Sequence, residues 1–336
     1  MFTRNGWQSL GTLDRQLNLL LLANVAVVLL ATLWSGGQFI GIDNLQSMCG
    51  QLPEMGLLAM GVALAMISGN GGIDLSGVAL ANLSGVVGAL ITPLLFDADQ
   101  SPVTFSATLI FLALATGVLG GVINGFLIAK AQLTPILATL GTQLLFTGLA
   151  VVLTNGAALR LGYVEPLAAL GNETLFWIPI PFIILLIITF GLGALLQRTP
   201  YGVWLYLMGT NRKAARYAGM PHVRMILITY GMCGMLASTA GILIAARTAS
   251  VKWDYGSSYL LIAILIAVMA GIKPSGGHGR IACLFLSATA LQLLSSAINM
   301  SGVPTFFGEC IWGLLLLLFA ASSKMQIGER KMQIGK

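Results

Sequence analysis

Asp74 is the residue in this chain whose type and setting most invite a chemical reading. It stands in the run Ser68-Gly69-Asn70-Gly71-Gly72-Ile73-Asp74-Leu75-Ser76, between two long apolar stretches. A carboxylate beside a membrane segment is costly unless paired or solvated, which makes it a candidate functional group. Gly69, Gly71 and Gly72 permit an interrupted helix whose freed backbone groups could line a solute path. The structural alternative is that Asp74 caps a helix beginning at Leu75, and the two roles are compatible. Glu54 and Glu309 are the other embedded acids, and each is expected to reach the membrane interface.

Other constellations of chemistry are missing from the sequence. His222 and His278 have no His, Cys or carboxylate at ligand spacing, so no metal site is expected. No Gly-x-Ser-x-Gly elbow occurs and no catalytic residue is assigned. No Gly-x-x-x-x-Gly-Lys-Ser/Thr phosphate loop occurs either, so the chain cannot bind ATP by that device. Cys49, Cys233, Cys283 and Cys310 each stand alone in apolar runs and are read as packing residues. Gly117, Gly120, Gly121 and Gly125 recur at helical spacing and suit close helix packing.

The elements that must position Asp74 are membrane spans. Hydrophobic residues make up 57% of the 336 and charged residues 8%, with 41 glycines and a mean hydropathy of +0.90. A soluble domain does not show this composition. Ten apolar runs follow one another: 17–34, 52–69, 76–96, 103–129, 134–154, 175–197, 223–246, 258–272, 280–299 and 303–322. The fold class expected is an all-α polytopic membrane protein of about ten helices, forming one transmembrane domain over 1–336. Span four is long and span eight short, so each is expected to break or tilt.

Charge sets the orientation. Of the 17 basic residues, all but Arg160, Arg247 and Lys252 fall on one side if the N-terminus is inside, and an even span count puts both basic tails there. The basic residues make no clustered stripe, so nucleic acid is not an expected partner. Trp34, Trp177 and Trp253 fall at the outer interface, where a belt of rings suits the bilayer.

The longest inner loop, 198–222, carries the strongest local signals. Asn211 is placed to cap a short helix through Ala214, Ala215 and Arg216, with Gly219 as its stop and Pro221 barring continuation. Such a basic helix beside the membrane could be a lever against a cytoplasmic partner or an interfacial helix held by anionic lipid.

The order of these motifs resembles the ribose-type family of ABC importer permeases. Gly209, Asn211, Ala214-Ala215-Arg216 and Gly219 look like that family's coupling segment. Ser68-Gly69 with Gly72-Ile73-Asp74-Leu75-Ser76 is similar to its Ser-Gly-Gly-Ile-Asp-Leu-Ser motif. Asn124-Gly125, Ala138 to Thr142, Thr154-Asn155-Gly156, Ala240-Gly241-Ile242 with Ala246-Arg247, and Ser275 to Arg280 keep the expected order over roughly 45–320. The chain departs from the pattern by inserting Asn70-Gly71. It also has Tyr259-Leu260-Leu261-Ile262 where many members have Tyr-Glu-Leu-Asp, and Thr147-Gly148 where Arg-Gly is common.

The resemblance implies a multi-pass protein of the bacterial inner (cytoplasmic) membrane, with both termini cytoplasmic. It implies a transport subunit that is not itself an enzyme and carries no cofactor, ATP and Mg being held by a partner ATPase. The partners implied are that cytoplasmic ATPase, a periplasmic solute-binding protein docking on 155–174 and 247–257, and a second permease, identical or paralogous. Gly209, Asn211, Ala214, Ala215, Arg216 and Gly219 would couple to the ATPase. Gly72, Asp74, Ser76 and Asn124 would serve the translocation path or its structure. The solute would be a sugar or sugar-like molecule, moved by alternating access. An ion-coupled secondary transporter using Asp74 or Glu309 and a non-transporting scaffold are the rival classes. The tail repeats Lys324 to Gly328 at Lys331 to Gly335, and no function follows from it.

Overall fold

The computed structural model describes residues 5–302, 307–308 and 310–319. Glu309 and the tail repeat lie outside them, as does part of the tenth expected span. The helices run α1 Asn5–Trp34, α2 Ile42–Ile67, α3 Gly77–Leu95, α4 Pro102–Ala129 and α5 Pro135–Thr154. They continue with α6 Glu165–Asn172, α7 Ile180–Arg198, α8 Pro200–Thr210, α9 Arg212–Tyr217, α10 His222–Thr248, α11 Tyr259–Met269, α12 Ile281–Met300 and α13 Cys310–Phe319. Among the described residues eight helices are long and apolar enough to cross a membrane. The two shorter apolar helices, α11 and α13, fall where the eighth and tenth spans are expected.

Sequence punctuation explains many of the boundaries. Proline occupies the first turn of α4, α5, α6, α7 and α8, where a missing N–H costs no helical bond. Glycines with positive φ follow α1, α9, α11 and α12, ending each helix in a conformation that other residues resist. Of the break or tilt expected in span four, the break does not occur, since α4 is continuous over 28 residues. Span eight is cut short: α11 has 11 residues, too few to cross a hydrocarbon core of about 30 Å, and Gly271 turns the chain into the loop 272–280.

The centre of the bundle is α2 and α10, whose most apolar 18-residue stretches are 83% and 72% buried. α1, with 6% of its stretch buried, lies outermost and presents Leu22, Leu30 and Leu33 outward. In lipid, apolar burial alone does not draw helices together, so close backbone contact has to do it. The glycines of α4 supply that contact. A side chain at Gly117 would meet Ser238 and the Gly234 carbonyl, one at Gly121 the Tyr230 carbonyl, and one at Gly125 the Leu227 backbone, all on α10. Gly120 faces Leu80 on α3 in the same way. Cys233 and Cys283 are buried and Cys49 is half-buried, whereas Cys310 is exposed on α13 and is not a core residue.

Away from the spans, two short antiparallel pairs tie loops together. β1 (Leu159–Arg160) pairs with β4 (Ser250–Val251), and β2 (Thr174–Leu175) forms a hairpin with β3 (Ile178–Pro179). The first pair joins the loops 155–164 and 249–258 at one end of the bundle.

Candidate functional site

At the other end, where α2 gives way to α3, the chain makes a compact turn. Gly69, Asn70 and Gly71 have φ of 81°, 61° and 70°, three left-handed residues in succession, so the Asn70-Gly71 pair bends the backbone sharply. Gly72 has no room for a side chain, because a Cβ there would collide with the carbonyls of Ala65 and Gly69. α3 begins at Gly77 and not at Leu75, with Ser76 in the capping position. Asp74 therefore does not cap from the residue before Leu75. Its Oδ1 accepts from the Ser76 amide at 2.9 Å and the Ser76 hydroxyl at 2.7 Å, closing a local turn that delays the helix start.

Three of the sequence-predicted residues belong to one buried chain of hydrogen bonds. Asn124 Nδ2 on α4 donates to Ser76 Oγ at 2.7 Å, and Thr142 Oγ1 on α5 donates to Asn124 Oδ1 at 2.6 Å. Thr139, also on α5, donates to the Ile73 carbonyl at 3.0 Å. Asp74, Ser76, Asn124, Thr139 and Thr142 are all buried. Burial pushes the Asp74 carboxyl above its ordinary range, while the two bonds from Ser76 pull it back. The chain ties the turn to α4 and α5 through buried bonds from Asn124, Thr139 and Thr142. Thr139 and Thr142 were visible in the sequence only as parts of a motif; their spacing on one face of α5 was the available signal.

The same turn is packed against the 198–222 segment. Gly209 in α8 sits on the Ile67 carbonyl and on Gly277, and Gly276 approaches the Cα of Gly69. The Gly277 amide donates to Ile67 O and the Gly71 amide to Pro274 O, both at 3.0 Å, and Tyr206 Oη donates to Gly279 O at 2.7 Å. Three glycine segments, 69–72, 209 and 276–277, thus meet backbone to backbone. From this seat the chain passes directly into α9. Asn211 Oδ1 accepts from the Ala214 amide at 3.0 Å as the N-cap, and Gly219 (φ 76°) ends the turn. Ala215 is buried, whereas Asn211, Ala214, Arg216 and Gly219 are exposed. α8 itself, 11 residues long, extends the segment beyond the short helix expected from the sequence.

The opposite end holds a group that the sequence reading missed. Glu54, expected at the interface, is only 1% exposed. Arg247 Nε at the end of α10 donates to its Oε1 at 2.6 Å, and Tyr259 Oη donates to its Oε2 at 3.3 Å. A second nitrogen of Arg247 donates to Tyr255 Oη at 2.9 Å, and the two tyrosine rings meet edge to face. Asn82 on α3 donates to the carbonyls of Trp253 and Tyr255, both at 3.0 Å. Desolvation explains the reversal: an acid at this depth is tolerated only with a cation and hydroxyls around it, and α10 and α11 bring them.

This all-α polytopic bundle resembles an ABC-transporter permease in fold. One solved structure shares it: a chain described as an inward-facing conformation of a metal-chelate type ABC transporter, with a TM-score of 0.51 and 18% identity over 94% of this chain and 99% of that one. Residues 44–320 match the family model described as branched-chain amino acid transport system / permease component, and the chain belongs to that family. Within it the chain is a divergent ribose-type permease. It is 31% identical to the ribose import permease protein RbsC of Escherichia coli K12, over 88% of this chain and 89% of that protein. It is 32% identical to RbsC of Bacillus subtilis 168, over 82% and 83%. The autoinducer 2 import system permease protein LsrD of Yersinia enterocolitica is 29% identical over 81% of both chains.

Proposed function

We propose that this chain is the membrane-spanning subunit of an ATP-driven importer for a sugar or sugar-like polar solute, working by alternating access. The observation that carries the reading is the seat of α9. A short, basic, capped helix is fixed through glycine contacts to the α2–α3 turn, and that turn is locked by the Asp74–Ser76–Asn124–Thr142 chain to α4 and α5. A push on α9 therefore reaches three spans without a flexible joint between. In this scheme α9 faces the cytoplasm and a separate ATPase, which holds ATP and Mg. Both termini are cytoplasmic, and the joined loops 155–174 and 247–257 receive a solute-binding protein on the far side of the bacterial inner membrane.

The relatives' names include ribose and autoinducer 2 import, which fits a polar polyhydroxy solute whose recognition is largely delegated to the binding protein. The test is extraction of the tagged chain in mild detergent, with mass spectrometry of its companions and uptake measured in cells. Recovery of an ATPase at fixed stoichiometry, with uptake that stops on ATP depletion, is the expected result. Recovery of the chain alone, with uptake that survives ATP depletion and collapses with the proton gradient, would replace this reading. It would favour an ion-coupled transporter built on the buried carboxyl of Asp74.

A further inference from the structure

Beside α9 lies a cleft of about 380 Å³, between the start of α10 and the turn that joins α4 to α5. Arg212, Lys213 and Arg216 line it from α9, Asn70, Gln132 and Thr134 from the facing turns, and His222 from the start of α10. No carboxylate lines it. The ion pairs found among the described residues are Arg247–Glu54 and Lys252–Asp254, both at the opposite end, so no acid there neutralises these three cations. The Nε of Arg212 has no hydrogen-bond partner among the described protein atoms and lies behind the cleft surface, so the outer nitrogens of the guanidinium are the ones that a ligand in the cleft would meet. Like charges gathered without a counter-charge repel one another, and an anion held in the cleft relieves that repulsion.

We infer that this cleft binds a phosphate group, either of a soluble phosphate ester or of an anionic phospholipid headgroup. The donor set suits that chemistry. A tetrahedral dianion accepts from the planar Arg212 fork, takes charge from Lys213 and Arg216, and still has oxygens for the amides and hydroxyl of the facing turns. The volume lies in the range of small-molecule sites and exceeds what a bare ion fills, leaving room for the group that carries the phosphate. Bound there, the phosphate ties α9 to the α4–α5 turn and to Asn70, bracing the segment that the transport scheme needs to move. The inference stands apart from that scheme, because it concerns binding by the isolated chain.

The test uses the purified full-length chain, first in neutral detergent and then in nanodiscs of phosphatidylcholine with or without phosphatidylglycerol. Thermal stability is followed against inorganic phosphate and glycerol phosphate, with chloride at matched ionic strength as the reference. Saturable stabilisation by free phosphate assigns a soluble ester, and stabilisation confined to phosphatidylglycerol discs assigns a headgroup. In either case Arg212→Gln and Gln132→Glu weaken the effect by about tenfold or more, the first by removing a charged donor and the second by placing an anion in the cleft. Gln132 is exposed on a turn, so its variant reports even where Arg212→Gln fails to fold. Wild-type protein indifferent to both phosphate sources, or variants that respond as wild type does, would overturn the assignment. The cations would then face solvent or a protein partner.

Discussion

Asn124 is the hinge of the buried polar chain, since it both donates to Ser76 and accepts from Thr142. Asn124→Leu keeps its approximate volume and removes both bonds, but Ser76 Oγ keeps Asp74 and Thr142 Oγ1 keeps the Ala138 and Thr139 carbonyls, so the change should lower the stability of the purified chain by about 1–3 kcal/mol in total, read by chemical or thermal denaturation in detergent. Thr142→Val, which strands Asn124 Oδ1 alone, should cost less. The Glu54–Arg247 pair makes a different prediction. Arg247→Ala leaves Glu54 buried without its cation and should cost about 3 kcal/mol, whereas the paired change Glu54→Met with Arg247→Met should recover most of that loss. Equal losses in the single and double variants would show that the pair is not coupled. Neither partnership was legible from local pattern: Ser76 and Asn124 are 48 residues apart, and Glu54 and Arg247 are 193 apart.

At the scale of elements, α4 and α10 test how membrane helices are held. Gly121 and Gly141 are both helical glycines, but a methyl at Gly121 strikes the Tyr230 carbonyl while one at Gly141 meets nothing within 4 Å. Gly121→Ala should therefore cost about 1–3 kcal/mol and lower the yield of folded protein, with Gly141→Ala close to wild type on the same gel-filtration and melting assays. α9 tests transmission. Arg216 is exposed and makes no ion pair among the described residues, so Arg216→Glu should leave insertion and stability intact while reducing uptake severalfold. Normal uptake in that variant would remove Arg216 from the coupling segment. The cap of α9 and its glycine stop could be read in the sequence because Asn211 and Gly219 act on neighbours only a few residues away. The start of α3 could not, because one hydroxyl and one amide bond to Asp74 held Ser76 in the turn and moved the first helical residue to Gly77.

For the whole molecule, the exposed apolar faces and the basic end together set what an assembly must cover. α1, α5 and α7 are buried over 6%, 28% and 28% of their most apolar stretches, leaving wide apolar surfaces to lipid or to a second permease. The complex extracted in mild detergent should contain two permease chains per assembly, counted by native mass spectrometry. Two copies of this chain would mark a homodimer, and one copy with a paralogue a heterodimer; a single permease chain would contradict the scheme.

What the sequence determined by itself was whatever depends on composition and on near neighbours. A run of about twenty apolar residues has one stable form in lipid, so the fold class and the eight long spans among the described residues could be read directly, whereas the expected eighth run folded into the short α11. Proline and glycine fixed many of the helix ends by local sterics, and the ordered motifs pointed to the family. The tertiary structure alone decided which polar groups meet. Asp74 turned from a helix cap into the anchor of a chain across three spans, and Glu54 from an interfacial acid into half of a buried pair. The three glycine segments became one seat for α9. The physical reason is the same in each case: a desolvated polar group is stable only beside its partner, and the fold brings that partner from a distant part of the chain.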